Sequence, residues 1–569
     1  MSQDLKNTII KIVEKIVRRK IPPGDKLPIE LTIPKEKQFG DWSLNIAMRL
    51  VKILKKSPQE IAQMIIELIK KELAKLNLTD RFERIEFKNP GFINISLSAS
   101  ALFDILNEVQ AQKQDFGKSA YGQNKKVLIE FVSANPTGPL SIAHARQAAV
   151  GDALANILNF CGFRVSREYY INDEGNQIKN LGLSLRARYL ELLKVECVNF
   201  PEDGYKGQYL YELAKKIITV FKDKYKQQSI EESLPFFSEY AANEILTQIK
   251  NELLKFGVKF DNWYSQKDHI TKENIDQVLA QLTDKGFIYI QDGATWFKST
   301  EFGDDKDRVL IKSDGQMTYL MPDIAYHNLK FERGFNRLID ILGPDHHGYI
   351  NRLKAAVCAL GYTKDDLSIL VIQLATLFRE GKPVMMSTRA GEYITLTELI
   401  EEVGADAARF FFLMRRCDSH LEFDLELAKK QTLENPVYYV QYAHARICGI
   451  RETFAANAES QEMVNIENIL KTADLSLLKE AECFDLMRKL NCFTEILINA
   501  ASECEVQGLT TYLRQLAGEF HAFYNKYRIY TEDKTQKEFS KARFLLVDCV
   551  RQVLFNGLSL LGVSAPEEM

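Results

Sequence analysis

Residues 127–151 read VLIEFVSANPTGPLSIAHARQAAVG, and this stretch decides the fold. Val127, Leu128, Ile129, Phe131 and Val132 form an apolar run broken only by Glu130, the pattern of a parallel strand covered on both faces. Asn135, Pro136, Gly138 and Pro139 end that strand, because proline cannot donate to a ladder and glycine reaches backbone conformations other residues resist. A helix is expected from Ser141, whose hydroxyl is placed to cap it. Its opening turns carry Ala143, Ala145, Ala148, Ala149 and Gly151, with His144, Arg146 and Gln147 as polar exceptions. A loop that leaves the carboxyl end of a parallel strand for a helix amino end is where α/β folds bind anions. The same residues also fit an ordinary βα unit whose alanines serve helix propensity and whose His144 packs or caps. The stretch is neither a G-x-G-x-x-G nor a Walker loop.

The chain around it has 569 residues, too many for one core, and two to four domains are expected. A composition of 46% hydrophobic and 27% charged residues is that of a globular protein. With a formal net charge of -3, any nucleic acid must be held by local basic surface rather than by the overall field. Nine scattered cysteines without a C-x-x-C pair argue for a reducing, cytoplasmic setting and against structural zinc. No apolar run reads as long enough to span a membrane, and the start, MSQDLKNTIIKIVEKIVRRK, is not a signal peptide.

Towards the N-terminus, residues 5–20 alternate hydrophobes and charges with helical period, and 29–33 fit a short strand. Ser57-Pro58-Gln59-Glu60 is a capping box with proline at the first helical position. ERIEFKNPGFINISL (83–97) alternates like a hairpin around Asn89-Pro90-Gly91. Residues 1–110 thus read as a small α+β domain, and 111–122 as its linker.

On the other side, residues 123–396 read as an α/β nucleotide-binding core interrupted by a largely helical, charged insertion at about 176–290. VSREYYI (165–171) is a second strand, and GFIYIQDGATWFK (286–298) a hairpin built on Asp292-Gly293. The core is expected to resume at Val309–Ser313. Tyr319, Asp323 and Tyr326 are candidates to line a pocket. Leu338–Leu342 is a strand ending in Gly343-Pro344-Asp345-His346-His347-Gly348. The paired histidines fit a ligand-facing loop better than a metal site, since neighbours in an extended segment point apart and no third ligand stands at a metal-binding spacing. Another strand, ILVIQLA (369–375), is interrupted by Gln373. It precedes a loop carrying Arg379, Lys382 and Arg389, cations suited to phosphoryl chemistry and equally to a solvated basic loop.

From 397 to 569 the chain reads as almost wholly helical, with runs at 397–415, 425–455, 465–504, 507–530 and 538–560. Phe410–Met414 reads as its buried junction with the core. Arg514, Tyr524, Asn525 and Tyr527 on the 507–530 helix set aromatics beside cations, a pattern that stacks on single-stranded nucleotides and also occurs on solvated helix faces.

Together these segments carry a resemblance. FGDWSLNIA, EFVSANPTGPL, AAVGDALAN, REYYINDEGNQI, YLMPDIAYH, ILGPDHHGYINRLKAA, MSTRAGEYITLTELIEEVGADAARFFFL, YVQYAHARI and LLGVSAPEEM, in this order, resemble bacterial-type arginyl-tRNA synthetases over essentially the whole chain. The resemblance implies a multidomain protein: an α+β N-terminal domain touching the outer corner of the tRNA, a Rossmann-like class I catalytic domain, and an all-α bundle binding the anticodon. It also implies activation of arginine by ATP to arginyl-adenylate, then transfer to the 2′-hydroxyl of the terminal adenosine of arginine tRNA. Mg²⁺ would arrive with ATP, and activation would need bound tRNA. No membrane and no obligate protein partner are implied; a cytoplasmic monomer is expected.

Carried over residue by residue, Asn135 and Gln373 would hold the α-amino end of arginine, while Glu130, Tyr319 and Asp323 would read the guanidinium. A planar cation asks for carboxylates and an acceptor hydroxyl, and a cationic substrate would account for a glutamate inside an apolar strand. ATP would lie on Ser133, Ala143, His144, Ala145, Asp345, His346, Met386 and Ser387. The family's HIGH signature reads Ser141-Ile142-Ala143-His144, keeping only its second histidine. Its KMSKS-like signature reads Met385-Met386-Ser387-Thr388-Arg389, without either lysine. Ser141, His144, Arg389 and Lys382 are therefore the expected catalytic set. The two altered signatures leave one alternative, a synthetase-like tRNA-binding protein with weak or absent catalysis.

Overall fold

The structure is a computed structural model that describes residues 2–20, 27–34, 36–196, 198–384, 393–456 and 471–569. At the N-terminus α1 (Ser2–Arg18) turns Ile9, Val13 and Val17 inward. Strands β1 (Leu31–Thr32), β2 (Trp42–Leu44), β3 (Phe82–Lys88) and β4 (Phe92–Leu97) form an antiparallel sheet in the order β1-β2-β4-β3. The hairpin at Asn89-Pro90-Gly91 pairs Lys88 with Phe92. Helices α2 (Ile46–Leu54) and α3 (Pro58–Lys75) cover the sheet, and the Ser57–Glu60 capping box opens the latter. After α4 (Ala99–Gln112), the stretch expected to be a linker is docked: the Asn556 amide donates to the carbonyls of Lys113 and Phe116, at 3.0 and 3.2 Å.

The centre is a parallel sheet. β5 (Lys126–Glu130) leads through α5 (Ile142–Phe160) to β6 (Arg164–Ile171). Helices α6 (Asn176–Leu192), α7 (Tyr209–Phe221) and α8 (Ile230–Lys255) then return the chain to β7 (Asn262–Ser265). Helices α9 (Gln266–His269) and α10 (Lys272–Asp284) come next. A separate antiparallel sheet follows: β8 (Ile288–Gln291), β9 (Ala294–Phe297) and β10 (Arg308–Ile311). Helix α11 (Leu320–Glu332), β11 (Arg337–Leu342), α12 (Ile350–Leu360) and β12 (Leu367–Val371) complete the core. Its strand order is β12-β11-β5-β6-β7. The chain builds away from β5 in both directions, so the topological switch point, where open parallel sheets bind ligands, lies between β5 and β11.

Three sequence expectations change here. The stretch 176–290 is not all insertion, because β7 inside it pairs in parallel with β6; four residues are too few to announce a core strand. The core does not resume at Val309–Ser313, since β10 pairs with β9 and the parallel sheet returns only at β11. The apolar run 369–375 is two strands. β12 ends at Val371, and β13 (Ala375–Arg379) joins β14 (Lys382–Pro383) and β15 (Leu421–Asp424) in another small sheet.

The junction with the bundle is α13 (Leu396–Val403), Gly404 at φ +81°, and α14 (Ala405–Leu413), which carries the buried Phe410 and Phe412. Because β15 runs parallel to β13, the core reaches past residue 420 rather than stopping at 396. Helices α15 (Leu425–Lys429), α16 (Pro436–Ala456), α17 (Ala481–Asn491), α18 (Phe493–Glu503), α19 (Gln507–Lys526) and α20 (Lys537–Leu561) form the bundle. The expected 425–455 helix breaks where Asn435 donates to the carbonyls of Ala428 and Lys430. By length and composition α20 is apolar enough to cross a membrane, unlike the sequence expectation, yet 83% of its most apolar window is buried inside the protein. The fully buried Arg409 ties core to bundle, donating to Asp152 (2.6 Å) and to the carbonyls of Leu561 and Phe256.

Candidate active site

Where β5 stops, Val132 and Ser133 take φ values of +68° and +38°. Left-handed backbone costs a non-glycine residue roughly 1–3 kcal/mol, and its persistence marks a site whose surroundings enforce it. The turn sends Ser133 Oγ back to donate to Glu130 Oε1 at 3.0 Å, while the same oxygen accepts the Tyr170 amide at 3.1 Å. Beyond it, two tyrosine hydroxyls clamp the proline loop: Tyr209 donates to the Thr137 carbonyl, and Tyr393 to that of Pro139 at 3.0 Å. The Asn135 amide donates to Gln177 Oε1 at 2.6 Å.

Ser141 is the N-cap of α5, and His144 closes the turn. Its Nδ1 accepts the Ser141 amide at 3.2 Å and lies 3.2 Å from Ser141 Oγ. An accepting Nδ1 places the ring proton on Nε2, free to donate. Burial lowers the imidazole to about 4, so it is neutral at physiological pH. Ala143 is half-buried and Ala145 fully buried. The histidine is thus a hydrogen-bond donor without charge.

Arg146, two residues on, is fully buried. Its guanidinium donates to the carbonyls of Gln373 (2.7 Å), Arg416 (2.9 Å) and Ser419 (3.0 Å). The Gln373 amide donates in turn to the Cys417 carbonyl at 2.9 Å. These bonds take the chain out of the β12 ladder at Gln373. They also join the helix entry to the loop before the bundle.

Glu130, Glu168 and Asp340 stand side by side on β5, β6 and β11, paired in register. Helix α11 faces them. Lys330 Nζ lies 2.6 Å from Glu130 and 2.9 Å from Asp340, and His327 Nε2 lies 2.8 Å from Asp340. Arg333 forks onto Glu168 at 2.6 and 2.8 Å, where Tyr326 and Asn262 also donate. Glu130 therefore has a resident counter-ion, and its burial does not depend on a cationic substrate, contrary to the sequence argument. Asp323 opens the same helix and accepts the Tyr349 hydroxyl at 2.6 Å; burial raises its carboxyl, against the pull of that hydroxyl. Tyr319, one turn earlier, is 83% exposed at the mouth.

The remaining expected positions are looser. Asp345 and His346 lie exposed on the 3-10 turn Pro344–Tyr349. Lys382 sits on the exposed tip of the β13–β14 hairpin, while Arg379 is engaged by Glu402 at 2.7 Å. Met386, Ser387 and Arg389 lie outside the described residues. Among the described residues no three His, Cys, Asp or Glu side chains gather as a metal site. On α19, Tyr524 and Asn525 line a groove of about 460 Å³ with Tyr527, whose hydroxyl donates to Glu482 at 2.9 Å. Arg514 lines a second groove of about 440 Å³ beside Tyr439. The Arg446 guanidinium lies 4.0 Å from the Tyr524 ring centre.

Sequence reasoning missed Lys330, Asp340, Glu168 and Arg146. Asp340 was signalled as Glu130 was, by a carboxylate inside an apolar strand, and Arg146 by a cation among alanines; Glu168 and Lys330 lie in polar stretches that gave no such signal.

A parallel sheet with polar groups gathered at its switch point, a histidine at the entry of the following helix and a helical bundle beyond define a class I aminoacyl-tRNA synthetase. Three family models cover the chain: "Arginyl tRNA synthetase N terminal domain" over residues 3–97, "tRNA synthetases class I (R), catalytic domain" over 105–415, and "DALR anticodon binding domain" over 440–569. The sequence is 45% identical to the arginine–tRNA ligase of Geobacter sp. (strain M21) over 571 residues, all of both chains. It is 46% identical to that of Listeria monocytogenes serovar 1/2a over 541 residues, 95% of this chain and 94% of the relative. A solved putative arginyl-tRNA synthetase from Campylobacter jejuni matches with a TM-score of 0.75 and 35% identity, over 83% of this chain and all of that one. The Thermus thermophilus arginyl-tRNA synthetase shares the fold over the full length of both, with a TM-score of 0.76 at 21% identity. The chain belongs to the bacterial-type arginyl-tRNA synthetases.

Proposed function

We propose that this protein is an ATP-dependent arginine–tRNA ligase that joins L-arginine to ATP, releasing pyrophosphate, and passes the arginyl group to the terminal adenosine of arginine tRNA, releasing AMP. The observation that carries this reading is the set of carboxylates, Glu130 and Asp323 foremost, gathered at the switch point next to the His144 turn. Such a pocket suits a guanidinium adjoining a nucleotide. Asn135 and Gln373 hold the α-amino end, and Tyr319 closes over the guanidinium from the mouth. The arginine carboxylate attacks the α-phosphorus, and the 2′-hydroxyl of the tRNA then attacks the arginyl carbonyl. Neither step makes a covalent enzyme intermediate, so positioning and electrostatics carry the rate.

His144 Nε2 and Ser141 donate to phosphate oxygens. Ser133, Ala143, Ala145, Asp345, His346, Met386 and Ser387 surround the nucleotide. Charge on the phosphates is met by Arg389, Lys382 and the Mg²⁺ that ATP carries in. Arg514, Tyr524, Asn525 and Tyr527 contact the tRNA, and bound tRNA is required for activation. The protein acts as a cytoplasmic monomer without zinc. The eight described cysteines, none in a disulfide, support a reducing compartment. The intact arginine subsite favours this reading over a catalytically idle tRNA binder, since tRNA binding alone does not call for Glu130, Asp323 and Gln373 together.

The test is aminoacylation with purified protein, arginine, Mg-ATP and arginine tRNA, alongside pyrophosphate exchange with and without the tRNA. Arginyl-tRNA is expected, with exchange only when tRNA is present. No product above a no-enzyme control would end the ligase reading.

A further inference from the structure

We propose that Lys330 is the positioning residue of the arginine subsite, bridging Glu130 and Asp340 and aiming them so that the pocket accepts a guanidinium and turns away neutral side chains. The inference rests on the ligase reading and deepens it.

The sheet creates the problem that Lys330 answers. In-register residues on neighbouring strands lie about 4.8 Å apart, and here three such neighbours are the buried carboxylates of Glu168, Glu130 and Asp340. Adjacent carboxylates in a low dielectric cannot all stay ionised without cations between them. Glu168 is answered on its own by the Arg333 fork, Tyr326 and Asn262. The other two share one ammonium, Lys330, with His327 beside Asp340 and the Ser133 hydroxyl on Glu130.

Lys330 is 0% exposed, bridges Glu130 and Asp340, and sits 4.2 Å from the Tyr326 ring centre. Its three protons thus meet two carboxylates and an aromatic face, and none is left for a ligand. Burial alone would drive this lysine towards neutrality, but Asp340, Glu130 and Glu168 hold it charged. Burial likewise pushes Asp340 up, while Lys330 and His327 keep it well below the usual carboxylate range.

Helix α11 sets Lys330, Arg333 and the His327 imidazole against Glu130, Glu168 and Asp340. Asp323 adds a fourth carboxyl, on α11 itself, whose Oδ2 accepts the Tyr349 hydroxyl. Glu130 is fixed from both sides, by Lys330 on Oε2 and Ser133 on Oε1. Without Lys330, Glu130 and Asp340 would face each other across the sheet with no ammonium between them, and Glu130 would keep only the Ser133 contact that aims it.

The experiment uses the full-length protein with Lys330→Met and Lys330→Arg. Lys330→Met is expected to raise the KM for arginine at least tenfold and leave the KM for ATP within twofold, with Lys330→Arg recovering most of the loss. Should Lys330→Met fail to fold, Asp340→Asn serves instead. It puts the whole ammonium charge on Glu130 and is expected to raise the arginine KM severalfold, again without moving that for ATP. An arginine KM that is unchanged or lower, or a rise shared equally by arginine and ATP, would overturn the assignment. Those outcomes differ from failure of the ligase reading, in which the wild-type protein itself makes no arginyl-tRNA and the inference falls with it.

Discussion

The two halves of the cleft meet at the end of β5 and are built in opposite ways. The carboxylate floor of the arginine half is buried, and Glu130, Glu168 and Asp340 are locked to partners on α11 before any substrate arrives. The phosphate half is a neutral histidine, a serine and residues on exposed turns. On the proposed reading the amino acid is chosen by fixed charge in a low dielectric, where little reorganisation is left to do. On the same reading the nucleotide would bring its own Mg²⁺ and hydration, and a surface that supplies hydrogen-bond donors would be enough for it.

The comparison breaks most sharply at Asp323. Asp323→Asn keeps the shape and removes the charge, and we expect arginine kcat/KM to fall by about 2–5 kcal/mol, the cost of losing one partner of a desolvated pair, with the KM for ATP nearly unchanged. Steady-state kinetics in both substrates decide it; equal losses in the two would mean that the halves are not separate.

The phosphate half can be tested through His144 by pH. Its folded value, about 4, lies below the unfolded value near 6.5. The unfolded chain therefore binds the proton first, and the contribution of His144 to stability, complete above about pH 6.5, is lost as pH falls towards 4. Between pH 7 and pH 5 the wild type should lose about 2 kcal/mol that His144→Gln does not lose, read as a steeper fall in Tm. Equal falls in the two proteins would place the imidazole in water. On the same half, Arg389→Ala is expected to cut turnover by about a hundredfold and to spare arginine affinity. A wild-type turnover would remove Arg389 from the phosphates.

How much of this could be read from the chain differs between the halves for a physical reason. Val127–Glu130, the proline loop and the alanine-rich helix announced the nucleotide fold, because strand burial and loop chemistry are local. The Asp292-Gly293 hairpin was legible for the same reason, with both residues at positive φ. Register is not local. Nothing in EYY or IDIL says that Glu168 and Asp340 flank Glu130, or that Lys330 lies between two of them. Glu130 was correctly singled out as a costly residue, but its counter-ion came from a helix 200 positions away. The split of ILVIQLA at Gln373 was hidden likewise, since Arg146 imposes it from α5. Signature letters were legible throughout, yet they could not show that Lys382 rides on an exposed hairpin.

That exposure sets the smallest expected effect and the finest test of the contrast. A solvated ammonium interacts through high dielectric, and its attraction for phosphate falls away within a Debye length, about 8 Å at physiological salt. Lys382→Ala should therefore lower turnover only about twofold in 0.15 M salt, as befits a surface charge pair. The difference should widen at low ionic strength as screening is removed. Asp323→Asn, acting inside the protein, should show the same loss at both salt concentrations. A salt-independent loss of tenfold or more for Lys382→Ala would mean that the hairpin folds over the nucleotide and buries the lysine, making the phosphate half as enclosed as the arginine half.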